Sequence, residues 1–261
     1  MGKAVAVAAV RRGGKALIAG RSRDKLDRAA GEIRSYAAEE SDRDGGDCVT
    51  TAVLDASDEA AVEAFASSLD LGATGGGGGG SSWDALVVSA AGRAPHGGVT
   101  SLETERTREL FEGKFWTAYH CAKHVSPRLR DGGAVAFVAG VLNRRPGINC
   151  APLAATNGAL EGLTRALALE FGPRLRVNCL SPGFCDTERF DHMDAKKRKA
   201  MLANTADSLP LQRVGQPEDM GEAIYYLLTA NFVTGVVLDV DGGHGIRQYA
   251  NAASDPMRRL T

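Results

Sequence analysis

The chain begins with a nearly unbroken run of Ala and Val over residues 3–12, closed by Gly13-Gly14; these are helix formers followed by a carboxyl-terminal stop. Residues 15–19 then read as a short buried strand, and 21–40 as a charged amphipathic helix. The next strand covers 48–54 and ends at Asp55, after which Ser57 is placed to cap a helix reaching residue 69. Strands at 85–89, 134–138, 176–180 and 233–240 are predicted from β-branched and small apolar residues. Between them the pattern gives helices over 103–125, 151–171 and 218–228 and a charged helical region over 186–204. Short apolar strands that alternate with helices predict an α/β fold, in which a doubly wound parallel sheet is covered on both faces. No internal repeat or composition shift divides the chain. One domain over 1–247 is expected, with a flexible glycine loop at 72–82 and a polar tail at 248–261.

Composition narrows the function. With 31 basic and 32 acidic residues the formal charge is −1, without the basic excess that a nucleic-acid surface needs. The 8 Phe, 5 Tyr and 2 Trp are too few for a single-strand stacking platform. Five cysteines form no C-x-x-C pair, which argues against a disulfide framework and for a reducing, cytoplasmic setting. No apolar run approaches the ~18 residues of a membrane span. The Lys3-led start mimics a short signal peptide, but Arg11 and Arg12 follow at once and the segment reads as part of the fold; Ala6 spoils a myristoylation signal at Gly2. Glycine is the outlier, with 32 in 261 residues. Six of them, Gly75 to Gly80, satisfy G-x-G-x-x-G trivially but follow a helix and precede a strand, the reverse of a phosphate-binding turn.

Four segments give the chain a likeness. Leu86-Val-Val-Ser-Ala-Ala-Gly92 resembles a strand ending in N-N-A-G, with Ala91 and Gly92 kept. Leu163 to Glu170 resembles a long interface helix, Arg176-Val-Asn-Cys-Leu-Ser-Pro-Gly183 with Thr187 matches R-V-N-x-x-x-P-G-x-x-x-T, and Val233 to Gly243 resembles a closing strand. Together, in order and at family-like spacing, they make the chain similar to the short-chain dehydrogenase/reductase family over nearly its whole length. The resemblance implies a Rossmann-like fold, hydride transfer on a small carbonyl or alcohol, and a homodimer or homotetramer formed through the 151–171 helix. It also implies that Pro182 and Gly183 approach the nicotinamide side of a cofactor, with the Thr187 hydroxyl on its carboxamide. Arg21, with Ser22 and Arg23 beside it, follows the strand at which an acidic residue would accept from a ribose 2′-OH; Arg there accommodates a 2′-phosphate and points to NADP. Asp55 falls at the adenine-contacting position, or simply caps its strand.

The chain departs from the family pattern twice. Gly2-Lys3-Ala4 aligns with the end of the T-G-x-x-x-G-x-G turn, so the first strand and nearly all of the phosphate loop are expected to be absent. Deleting a central strand would expose two edges, so a truncated chain or misassigned start codon is the simpler reading. The second departure is in the catalytic set. Leu153 stands at the family's Tyr position, Asn157 at its Lys, Gly140 at its Ser and Lys114 at its Asn. The chain resembles a branch without the Tyr/Lys pair, in which Lys114 and Asn157 have exchanged residue types and the Lys114 ammonium fills the pocket of the family lysine. The alternatives are a Lys114 that reaches solvent and a catalytically inactive scaffold or regulatory subunit. Tyr119 and Lys123 form a literal Y-x-x-x-K, but it precedes the fifth family strand, and Tyr119 reads as a helix packing residue. His120 and His124 share a helix face with no third ligand in register, so no metal site is expected. His96, soon after Gly92, is the remaining candidate acid or base, or an exposed loop histidine.

Overall fold

The computed structural model describes residues 1–40, 48–71 and 83–246. The glycine loop and the polar tail expected from composition lie outside the described residues. Six strands are present among these residues: β1 (Ala16–Gly20), β2 (Val49–Val53), β3 (Trp83–Val88), β4 (Leu129–Val138), β5 (Leu175–Pro182) and β6 (Val237–Val240). The helices are α1 (Gly2–Arg11), α2 (Arg23–Glu40), α3 (Glu59–Leu71), α4 (Thr104–Phe111), α5 (Thr117–Val125), α6 (Ala151–Phe171), α7 (Ala195–Asp207) and α8 (Pro217–Thr229). All strand pairs are parallel: β1 lies beside β2, and β3, β4, β5 and β6 pair in that order.

Strand β4 shows why the fold needs helices on both faces. Its Val135 and Phe137 enter a core with Ala118, Val125 and Leu160, whereas Ala136 and Val138 join Val5, Ile224 and Leu227 on the other side. All four are at most 4% exposed, so from Ala134 onward the strand has no solvated face and reads as an apolar run. Arg130 to Gly132 before it are exposed. Helix α1 opens the chain and contributes to two cores. Val5 packs with the four-stranded sheet, while Ala6 and Val10 pack with Ala30, Ile33 and Val49 over β1 and β2. Among the described residues, β1 and β3 each pair along one edge only.

Four local readings of the sequence are corrected here. The cap of α3 is Asp58, whose Oδ1 accepts from the Ala60 and Ala61 N–H groups; Ser57 instead donates through N–H and hydroxyl to Asp55 Oδ1. The long helix over 103–125 is interrupted by a π-helical turn, Glu112–Trp116. The charged region at 186–204 is regular only from Ala195, capped by Asp194. The closing strand begins at Val237 because Gly235 has φ 72° and the Thr234 hydroxyl takes the Val177 N–H, which delays the regular ladder.

Candidate active site

The strands of the two parallel sheets carry the sequence-selected residues at their carboxyl ends. Arg21 and Ser22 follow β1, Asp55 follows β2, Ala91 and Gly92 follow β3, Gly140 follows β4, and Pro182, Gly183 and Thr187 end or follow β5. In an open doubly wound sheet the carboxyl ends of the strands are where ligands bind.

Lys114 and Asn157 meet at this end. The Lys114 ammonium donates to Asn157 Oδ1 at 2.6 Å and to the Ala139 carbonyl oxygen at 3.0 Å. Lys114 is 5% exposed and Asn157 1% exposed, so the lysine does not reach solvent. Local structure explains how a helix residue reaches the strand end. Lys114 is the middle residue of the π-helical turn, where an extra residue per turn re-aims side chains and often marks a functional position. The Thr117 hydroxyl donates to the Glu112 carbonyl at 3.1 Å and occupies an acceptor at the start of that turn. Just before Lys114, Gly113 packs on Gly92: a Cβ at Gly113 would lie 3.1 Å from Gly92 Cα, so the loop after β3 presses directly against the turn.

The other two positions in this set are consistent with the pair. Gly140 leaves room for the Asn157 amide, since a Cβ there would come 2.9 Å from Nδ2. Leu153 is partly exposed one turn before Asn157 on α6. One turn after Asn157, the buried Glu161 pairs with Arg144 at 3.1 Å. Arg144 also donates to Ser181 Oγ at 2.8 Å and to Asp239, which ties the loop after β4 to β5 and β6. The role of the Ala139 carbonyl is not legible in the sequence, because a backbone carbonyl has no residue signature.

The proposed cofactor residues are spread along the same edge. Arg21 is exposed and close enough to help hold the Asp55 carboxyl below its ordinary range, although the hydroxyl and N–H of Ser57 do more. Arg23 is held by Thr51 Oγ1 at 3.0 Å. Ser22 lies within 3.4 Å of the Lys25 N–H at the start of α2. Gly183 sits against the turn after β6, where a Cβ would lie 2.6 Å from Asp241 Cα; only glycine fits. The Thr187 carbonyl accepts from Arg198, which also binds Asp186 and Asp191 and so fastens this segment to α7. The amino end of α1 lies against the loop after β3, since a Cβ at Gly2 would lie 2.8 Å from Ser89 Oγ. The start of α1, one buried ammonium and one exposed guanidinium make a donor set suited to a phosphorylated dinucleotide.

The remaining candidates lie elsewhere or in other company. Lys123 pairs with Glu59 at 2.7 Å, and Tyr119, 40% exposed, packs with Phe115 and Trp116. His124 is 3.0 Å and His120 3.8 Å from Glu59. Together with Lys123, His124 holds the Glu59 carboxyl down at about 2. No group of three or more metal-ligating side chains occurs among the described residues, and no helix there is long and apolar enough to cross a membrane. His96 is exposed, with Nδ1 3.5 Å from Cys150 Sγ.

A parallel doubly wound sheet with a buried cation at its carboxyl end defines an α/β protein of the nucleotide-binding type. The family model described as Enoyl-(Acyl carrier protein) reductase matches residues 1–245. The chain is 34% identical over 166 residues to the granaticin polyketide synthase putative ketoacyl reductase 2 of Streptomyces violaceoruber, a match covering 60% of this chain and 65% of that protein. It is 32% identical over 167 residues to the human dehydrogenase/reductase SDR family member 4, covering 61% and 59%. The match thus spans less than two thirds of each of these relatives. A solved small-chain dehydrogenase in complex with NADPH is 31% identical, with 88% of this chain and 99% of that one covered at a TM-score of 0.70. A short chain oxidoreductase from Pseudomonas aeruginosa PAO1, solved with NADPH and containing an atypical catalytic center, is similar in fold at 24% identity and TM-score 0.77, covering 95% and 92%. The chain belongs to the short-chain dehydrogenase/reductase family.

Proposed function

We propose that this protein is an NADP-dependent oxidoreductase that transfers hydride to or from a small carbonyl or alcohol, with Lys114 and Asn157 in place of the family's Tyr/Lys chemistry. The observation that carries this reading is the buried Lys114 ammonium, 2.6 Å from Asn157 Oδ1 and 3.0 Å from the Ala139 carbonyl. A lysine kept from solvent at the carboxyl end of the sheet suits the binding of a ribose or substrate oxygen through a charge-assisted hydrogen bond. NADP supplies the hydride chemistry when bound. Arg21 would take its 2′-phosphate, the start of α1 its pyrophosphate, Asp55 the adenine, the Ala91-Gly92 backbone the adjoining ribose, and Pro182, Gly183 and Thr187 the nicotinamide amide. Asn157 orients the lysine, and Ala139 fixes its height above the strand. The NADPH complex of a 31% identical relative supports this choice of cofactor.

A second reading, a non-catalytic subunit, draws on Leu153, which brings no proton donor to the family's tyrosine position. Losing a positioned acid costs typically 10²–10⁴-fold. In either reading a homodimer or homotetramer through α6 is proposed, supported by Leu169, 86% exposed on that helix. Titrating the protein with NADPH separates the two: saturable micromolar binding accompanied by slow carbonyl reduction supports the enzyme, and no binding supports the scaffold.

A further inference from the structure

Two loops that no motif connects bring a thiol and an imidazole together beside this site. His96 Nδ1 lies 3.5 Å from Cys150 Sγ across a sequence separation of 54 residues. The loops are fastened by the Gly97 N–H, which donates to the Asn149 carbonyl at 3.2 Å. Asn149 has φ 63°, the left-handed conformation that turns the chain into α6, and Cys150 is the residue immediately before that helix. The sulfur is closely held, since a Cβ at Gly147 would approach it to 3.3 Å. Its proton is in hydrogen-bond reach of the Ile148 carbonyl at 3.4 Å and of the imidazole.

Chemistry follows from this placement. An imidazole beside a thiol can take its proton and leave a thiolate paired with an imidazolium, which is how thiol nucleophiles are activated. Giving up the bond to the Ile148 carbonyl opposes that transfer. Cys150 stands at the amino end of α6, a helix of 21 residues whose dipole is positive there. The surroundings select the ligand class. Ile148 is 92% and Val99 75% exposed, one on each of the two loops, so the rim of the pair is apolar and suits an uncharged organic electrophile.

We propose that Cys150 and His96 form a nucleophilic thiol site that takes conjugated carbonyl compounds, enals and enones, as covalent adducts. His96 accepts the thiol proton; the sulfur lone pair then forms a bond to the β-carbon while the C=C pair moves toward the carbonyl as an enolate. The imidazolium returns the same proton to the α-carbon. S–H has been added across C=C, nothing is oxidised or reduced, and no cofactor takes part.

The test uses the full chain without nucleotide and crotonaldehyde as the probe, with peptide mass spectrometry following each cysteine in time. Cys121, Cys179 and Cys185 are buried with thiols pushed up to about 12, 11 and 11, and serve as slow internal standards. Cys48 is the demanding comparison, because it is more exposed than Cys150, which is only 9% exposed. The site predicts that Cys150 reacts at least tenfold faster than Cys48 in the wild type, and that His96→Gln slows Cys150 at least tenfold while leaving Cys48 unchanged. If Cys48 reacts first in the wild type, or His96→Gln leaves the Cys150 rate where it was, the assignment is overturned.

Discussion

The Asn157 amide stands against Gly140 so closely that a Cβ at position 140 would come 2.9 Å from Nδ2, while the other end of the same amide accepts from Lys114 at 2.6 Å. Gly140, Asn157 and Lys114 therefore form one packed unit. The glycine makes room for the amide, the amide engages the lysine, and the lysine reaches back to the strand end.

A serine at position 140 should break this unit. In Gly140→Ser the new side chain needs the space of Nδ2, and the φ of 157° at Gly140 disfavours any side chain there. Overpacking of this kind costs about 1–3 kcal/mol. Calorimetry should show a melting temperature lowered by roughly 2–4 °C for each kcal/mol in a domain of this size. Wild-type thermal stability in Gly140→Ser would mean that Asn157 moves aside freely.

Lys114 and Asn157 should be energetically coupled. Lys114→Met leaves Asn157 Oδ1 and the Ala139 carbonyl without a charged donor, at a cost of about 1–3 kcal/mol for buried polar groups. Asn157→Leu strands the ammonium. The double variant removes both problems, so its destabilisation should fall short of the sum by roughly 0.5–3 kcal/mol in urea denaturation. Simple additivity would show that the contact contributes nothing.

Arg21 should decide between the two nicotinamide dinucleotides. Hydrogen bonds to a charged group contribute about 1.5–3 kcal/mol, or roughly 10–100-fold in affinity. Titration calorimetry on Arg21→Ala should show NADPH binding weakened by that factor with NADH little changed. An equal loss for both cofactors would place the 2′-phosphate elsewhere.

Glu59 should make part of the acid sensitivity. Lys123 and His124 lower its carboxyl from an ordinary 4.5 to about 2. A depressed carboxyl adds stability above its unfolded value and loses it as pH falls through the folded value. The wild type should therefore lose stability relative to Glu59→Gln between about pH 5 and pH 2, as read from melting temperatures at a series of pH values. Parallel curves for the two proteins over that range would remove Glu59 from the account.

The sequence pattern made the element order legible, and α6 begins and ends at the predicted residues because Gly172 and Pro173 follow a clean apolar stripe. The sequence also raised the nearness of Lys114 and Asn157 as an expectation of the family resemblance, and the two side chains do meet, at 2.6 Å. What sequence could not display is geometry that arises on folding. The π-helical turn at Glu112–Trp116 continues two helical segments and has no residue signature of its own, and the Ala139 carbonyl that receives Lys114 is backbone. Ser57 and Asp58 are both competent caps, and the choice fell to Asp58 because Asp55 engages Ser57. His96 and Cys150 meet only because Gly97 and Asn149 tie their loops together.

The central claim, that Lys114 supports nicotinamide-dependent carbonyl chemistry in this fold, is tested most directly by NADPH oxidation with a panel of small aldehydes and ketones. Wild type and Lys114→Met are compared at saturating cofactor, with NADPH binding and folding checked for both. Slow but measurable turnover is expected in the wild type, with a loss of about 10²–10⁴-fold in Lys114→Met. Equal rates in the two proteins, or no NADPH binding by the folded wild type, would contradict it.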